Sequence, residues 1–175
     1  RFFSKNCRLY NMKEFKKKWK NKNHVAVFRG ASTGCGVTID TNMRLKLALL
    51  SVEHPSLLNA GITKWQLRPR KLEGEKYLQT IDVPKMNSLG INLVKFMSPI
   101  EQSEYKYIVH LDGHVSAFRL SIEMAMGSCI LLVDSEYSIW FRSMLKPMIH
   151  YIPVKKDLSN LITQIKWCKD NDNTC

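Results

Sequence analysis

The stretch Tyr-Lys-Tyr-Ile-Val-His-Leu-Asp-Gly-His-Val-Ser-Ala-Phe-Arg, residues 105–119, decides how this chain is read. Tyr105 to Leu111 is an aromatic and β-branched run of the length of a buried strand, and Asp112-Gly113 is a tight turn directly after it. The residues that follow predict a helix from Ser116 to Met126. A strand that stops at glycine lets the backbone approach a ligand closely, and the free N–H groups of a following helix favour an anion. Arg119, one turn in, carries a planar fork suited to gripping that anion at two points. An ordinary βα turn with a surface arginine reads the same way, so the other segments must separate the two.

Upstream, His24 to Phe28 reads as a short buried strand and Met43 to Val52 as a helix with one apolar face, with a glycine-bearing loop between them. Residues 53–90 carry three prolines and an apolar patch around Ile62 and Trp65, and read as connections with one short strand. Downstream the pattern tightens. Strands are expected at Ile91 to Phe96, Cys129 to Val133 and His150 to Pro153, and helices at Glu136 to Leu145 and Leu158 to Lys169, the last capped by Asp157. Strand and helix alternating through short loops imply an α/β fold: a Rossmann-like parallel sheet with helices on both faces. Ligands of such sheets bind beyond the carboxyl ends of the strands, where the loops after Phe28 and Leu111 both lie.

At 175 residues and 45% hydrophobic content the chain can bury a real core. Lys+Arg 27 against Asp+Glu 15 gives a net charge of +12, which favours anionic partners without choosing among nucleotide phosphates, nucleic acid and an acidic membrane surface. Much of the excess lies in Lys13, Lys16, Lys17, Lys18, Lys20 and Lys22, where Phe15 and Trp19 fall four apart. That spacing predicts an amphipathic helix whose basic face is solvated, and no arginine and aromatic interleaving continues it as a nucleic-acid surface. We therefore divide the chain into a basic helical segment, residues 1–24, as the end of an upstream region or a linker, and a Rossmann-like domain, residues 25–175.

The five cysteines, Cys7, Cys35, Cys129, Cys168 and Cys175, form no CxxC pair and no zinc or redox motif. No apolar run approaches the roughly 20 residues that span a bilayer. The chain starts at Arg1 and stops at Cys175 just after a helical pattern, and is expected to be a piece of a longer protein.

The loop Phe28-Arg-Gly-Ala-Ser-Thr-Gly-Cys-Gly36 is not a P-loop, because no Lys-Ser or Lys-Thr follows its last glycine. Its glycine spacing resembles the nucleotide loop of short-chain dehydrogenases, and Tyr151 to Lys155 mimics their Tyr-x-x-x-Lys, but Pro153 breaks the helix that motif requires. What remains is a loop with the Ser32 and Thr33 hydroxyls, glycine-freed N–H groups and basic residues at either end in Arg29 and Arg44, able to wrap a diphosphate. A glycine-rich turn with Arg29 in a structural ion pair is the alternative.

In order along the chain, Phe28-Arg-Gly30, Tyr105-Lys-Tyr107 leading through Asp112-Gly113 to Ser116-Ala-Phe-Arg119, Gly127-Ser128, and Leu145 to Lys155 followed by Asp157-Leu-Ser-Asn160 resemble glycosyltransferase family 90, the CAP10-like group that includes the protein O-glucosyltransferases. The resemblance implies the donor-binding half of a GT-B enzyme. Such an enzyme transfers glucose or xylose from a UDP-sugar to a hydroxyl of a protein or glycan, without a bound metal or other cofactor. It implies that Arg119 pairs with the donor diphosphate, that Ser116, Ala117 and Phe118 form the helix start beside it, and that Arg29 and Gly30 belong to the first motif. Asp112 and Gly113 are expected at the same site, Asp112 in a turn or ribose contact.

Animal members carry a second arginine two positions after Phe-Arg-Gly, where this chain has Ser32; we expect Arg44 to substitute. The longer Ser-Thr-Gly-Cys-Gly loop is reminiscent of versions from large DNA viruses. The family's general base is an aspartate well upstream of Phe-Arg-Gly, so the catalytic residue is expected outside this chain, in an upstream Rossmann-like domain. His150 is expected to pack or hydrogen-bond, and His114 is a weaker candidate ligand contact. The implied compartment is the endoplasmic reticulum lumen for a cellular member and the host cytoplasm for a viral one. A nucleotide- or carbohydrate-binding module that has lost its catalytic half is the alternative function, and a basic nucleic-acid-binding module the third.

Overall fold

The computed structural model describes residues 15, 17–74 and 76–174. Among the described residues five strands form one sheet: β1 (Asn23–Ala31), β2 (Leu58–Lys64), β3 (Tyr105–His110), β4 (Cys129–Val133) and β5 (Ile152–Val154). All four pairings are parallel, in the order β2-β1-β3-β4-β5. The helices are α1 (Met43–Glu53), α2 (Val83–Ser88), α3 (Pro99–Gln102), α4 (Leu120–Ala125) and α5 (Leu161–Asp170).

Both faces of the sheet are covered, which is why the central strands read as unbroken apolar runs rather than alternating ones. Ala26, Phe28, Tyr107, Val109 and Leu131 pack with Leu47 of α1 and with Leu161 and Ile165 of α5. On the other face Val27, Ile108, Ile130 and Leu132 pack with Leu120 and Met126 around α4. Each fully buried side chain of this size contributes about 1.5–3 kcal/mol. Because the order reverses between β1 and β3, the loops leaving these two neighbours diverge and open a crevice at their carboxyl ends. The expected α/β architecture is thus the one observed.

Several boundaries differ from the sequence reading, each for a local reason. The helix expected from Ser116 begins at Leu120, because the Asp112 carboxylate accepts from the Ala117 N–H at 2.6 Å and holds residues 116–119 in a turn. No α-helix forms over Glu136 to Leu145; the Ser135 hydroxyl takes the Tyr137 N–H, and only a 3-10 turn at Arg142–Met144 follows. The strand expected at Ile91 to Phe96 is a single bridge between Ile62 and Leu93, with Leu93 and Phe96 exposed. The short strand expected within 53–90 is the seven-residue edge strand β2. The strand expected at His150 to Pro153 runs from Ile152 to Val154. Asp157 does not cap α5: its carboxylate accepts from the Ser159 N–H, Leu158 sits at φ 62°, and the N-cap is Asn160.

Most of the expected basic helix, including Lys13 and Lys16, lies outside the described residues. Its described end is a 3-10 turn, Trp19–Asn21, and is pinned rather than solvated. Trp19 meets Tyr107 edge-on at 6.2 Å and donates its indole N–H to Asp172 at 3.2 Å. Lys22, read as part of the wet face, is 4% exposed. Its ammonium donates to the Ser103 and Met126 carbonyls and the Ser128 hydroxyl at 2.7, 2.8 and 2.8 Å, tying the entry of β1 to both neighbouring connections. Burial, then the charge of Lys17, brings its pKa down to about 8. Lys22→Met removes all three donors and leaves two buried carbonyls unpaired, so a loss of about 2 kcal/mol in the unfolding free energy is expected from urea titration; an unchanged midpoint would show that water replaces the ammonium.

Candidate functional site

The crevice at the β1–β3 switch point is an open cleft of about 320 Å³. Thr33, Gly34 and Cys35 of the loop after β1 form one wall, and Leu111, Asp112 and Gly113 after β3 form another. Arg44 of α1 lies at its base, and Asp134 to Tyr137 after β4 and Lys156 after β5 complete it. The carboxyl ends of four strands therefore converge on it, and both loops singled out in the sequence are there.

The loop after β1 is knitted by Asn42, a residue the sequence reading passed over. Its carboxamide oxygen caps α1 by accepting from the Arg44 and Leu45 N–H groups at 3.0 and 3.4 Å, while its nitrogen donates to the Ser32 and Gly36 carbonyls, each at 3.1 Å. An asparagine directly before the apolar-periodic run at Met43 is an N-cap signal visible in the sequence.

Arg44 points back at the loop, as expected of it. Its guanidinium donates to the carbonyls of Ala31, Leu111 and Asp112 at 2.9, 3.1 and 3.0 Å, and so clasps the ends of β1 and β3 together across the switch point. Burial is the main reason its pKa is pushed down to about 10, the charge of Arg119 adding to this, and it stays cationic at neutral pH. Three of five N–H groups are used in the clasp, leaving two for a ligand. Gly113 and Thr33 meet closely: a Cβ on Gly113 would stand 2.6 Å from the Thr33 hydroxyl and 3.2 Å from the Arg44 guanidinium, so only glycine lets the two walls approach.

The remaining expected site residues divide. Arg29 is turned to β2, donating to the Asn59 carbonyl at 2.7 Å and its side-chain oxygen at 2.8 Å, and does not line the cleft. The Ser32 hydroxyl is fully buried and accepts from the Gln66 N–H, so the hydroxyls expected together are separated and Thr33 alone faces the cleft. Gly30 makes room for the Phe28 ring, 2.9 Å from where its Cβ would be. Ser116 lines a small cavity next to the cleft, together with His110, and Phe118 is 81% exposed. Arg119 lies over the Phe28 ring at 4.9 Å and donates to the Arg29 carbonyl at 2.7 Å. His150 accepts from the Lys146 N–H at 2.9 Å, a hydrogen-bonding role as expected.

A buried charge chain backs the cleft, and the sequence reading missed it. His110, 4% exposed, places Nδ1 2.5 Å from Glu123, itself 2% exposed, and Nε2 3.7 Å from the Asp112 carboxylate. Glu123 in turn pairs with Arg119 Nε at 2.9 Å. Burial opposes charge on His110, but its bonds to Asp112 and Glu123 outweigh burial and raise its pKa. Burial likewise opposes charge on Asp112, and the bonds from His110, the Ala117 N–H and Ser135 outweigh it and lower its pKa. With His110 protonated, the four groups alternate in sign and sum to zero, the arrangement a low-dielectric site requires. His110 and Glu123 stand 13 residues apart on a strand and a helix, and no local pattern joins them.

Residues 4–175 match the model of glycosyl transferase family 90. An uncharacterized protein of Invertebrate iridescent virus 6 is 50% identical over 191 residues, covering 99% of this chain and 16% of the relative. Protein O-glucosyltransferase 3 of Homo sapiens is 37% identical over 154 residues, 88% of this chain and 26% of that protein. Protein O-glucosyltransferase 1 of Homo sapiens is 32% identical over 155 residues, 89% of this chain and 34% of that protein. The chain thus spans between a sixth and a third of the length of these relatives.

Proposed function

The chain belongs to glycosyltransferase family 90, and on that premise we propose that its cleft holds a UDP-sugar, glucose or xylose, for transfer to a hydroxyl of a protein or glycan. The observation that carries this reading is the cation-based cleft at the β1–β3 switch point, walled by the two glycine-bearing loops. Thr33 to Cys35 and the spare Arg44 N–H groups face the diphosphate, and Asp112 and the residues after β4 face the nucleoside. As the acceptor oxygen attacks the anomeric carbon, the bond from that carbon to the phosphate oxygen breaks and UDP leaves with added negative charge. Fixed cations and N–H groups in a half-enclosed site stabilise that charge as it develops, with no demand for a metal ion. The acceptor proton goes to a base in an upstream Rossmann-like domain, which makes this chain the donor-binding half of a GT-B enzyme. Arg119, whose Nη2 makes no hydrogen bond among the described residues, swings from the Arg29 carbonyl to the diphosphate.

Calorimetric titration of UDP and UDP-glucose into the chain tests this reading. Saturable binding to both is expected, weakened by Arg119→Ala. A folded chain that binds neither would overturn the reading, and binding without any transfer once the upstream region is restored would mark a binding module instead.

A further inference from the structure

Outside the residues that line the cleft, three donor-bearing side chains from two distant segments gather beside its glycine-bearing rim. Arg68 and Arg70 come from the connection after β2, and His114 follows Gly113. Arg70 is held in place: its backbone pairs with Gln79 in both directions, N–O 2.8 and 2.7 Å, and its Nη1 donates to the Gly36 carbonyl, next to Cys35 of the cleft wall. Yet Arg70 Nε and Nη2 are out of solvent and have no hydrogen-bond partner among the described residues, and the same holds for His114 Nε2. Burial, then the charges of Arg70, Arg68 and Arg44, hold the pKa of His114 below the ordinary value, and no carboxylate among the described residues acts on His114 against them. A buried guanidinium with unpaired N–H groups calls for an acceptor, and two arginines with no carboxylate against them among the described residues call for one that is anionic.

Resting on the donor reading of the cleft, we propose that Arg70 and His114, with Arg68 beside them, form a second anion subsite at the glycine-loop rim, outside the place of the diphosphate. It takes an oxyanion, carboxylate or phosphate, that stands next to the bound nucleotide. Two sources share that chemistry: the carboxylate of a uronic acid donor sugar, and an anionic group on the acceptor. Arg44, with three N–H groups spent on backbone carbonyls, is the inner cation of the cleft, and Arg70, with two nitrogens unpaired among the described residues, is the outer one.

Two titrations distinguish the sources, each run on the wild type, Arg70→Gln and Arg70→Lys, with circular dichroism to confirm folding. For a donor carboxylate, UDP-glucuronate binds the wild type about tenfold more tightly than UDP-glucose, and Arg70→Gln abolishes the preference while leaving UDP affinity unchanged. For an acceptor anion, inorganic phosphate binds the UDP-saturated wild type and its affinity falls about tenfold in Arg70→Gln, with partial recovery in Arg70→Lys. The proposal is overturned if the wild type shows neither effect, or if Arg70→Gln weakens UDP itself as much as either probe, which would place Arg70 on the diphosphate. If the wild type binds no UDP, the donor reading fails alone provided that phosphate still binds and still depends on Arg70; if phosphate binding is absent too, both fail.

Discussion

Glu123→Ala is expected to lower the unfolding free energy by about 3–5 kcal/mol, because it leaves an imidazolium and a guanidinium facing each other in the sheet–helix interior with no carboxylate between them. Two contacts go at once, the 2.5 Å contact to His110 and the 2.9 Å ion pair with Arg119. The effect carries a pH signature. His110 has a folded-state pKa above the ordinary 6.5. A group raised on folding contributes stability that is fully present below its unfolded pKa and is lost as pH rises through the folded pKa. The gap between wild type and variant should therefore be widest below the ordinary histidine pKa and shrink as pH rises through the raised pKa of His110, beyond which only the Arg119 pair remains. Urea titrations across this pH range measure it. A gap that stays constant would mean that His110 does not change charge over this range.

Arg44→Ala is expected to cost about 2–3 kcal/mol of stability and to abolish measurable UDP binding. The three carbonyls it clasps lie at the ends of β1 and β3, so its loss both unpairs them and lets the two cleft walls separate. The conservative Arg44→Lys keeps the charge without the fork. Stability that recovers only in part, together with weak UDP binding, would show that the clasp positions the walls as well as supplying charge. If Arg44→Ala loses stability but binds UDP as the wild type does, Arg44 is a strut and not an anion contact, and the substitution expected for Ser32 falls to another residue.

The chain's own pattern settled the architecture. Tyr107 to Leu111 and Cys129 to Val133 are buried on both faces, and a doubly covered parallel sheet writes that burial into the sequence as continuous apolar runs. Asp112-Gly113 and the glycines after Phe28 marked the two strand ends, because close backbone approach there admits no side chain. Short-range order was less legible where side chains compete with the backbone. The Asp112 carboxylate and the Ser135 hydroxyl each capture an N–H that a helix would have used, and the helices expected at Ser116 and Glu136 start late or not at all.

What only the tertiary structure decided is which polar side chains face the ligand and which hold the frame. Arg29 and Arg44 look equivalent in the sequence, each a basic residue flanking the same loop, yet one turns to Asn59 on the edge strand and the other to the switch point. Ser32 and Thr33 are adjacent hydroxyls just past the end of β1, yet one is buried against the Gln66 N–H and one reaches the cleft. Lys22 sits in a run of lysines, and only the packing of two separate connections around it makes it an anchor. His110 and Glu123 form a pair solely because β3 and α4 bring a strand end and a helix face together. Local pattern fixes which segments are strands and helices because the hydrophobic effect acts on periodicity, whereas the pairing of charges depends on distances that exist only once those segments have packed.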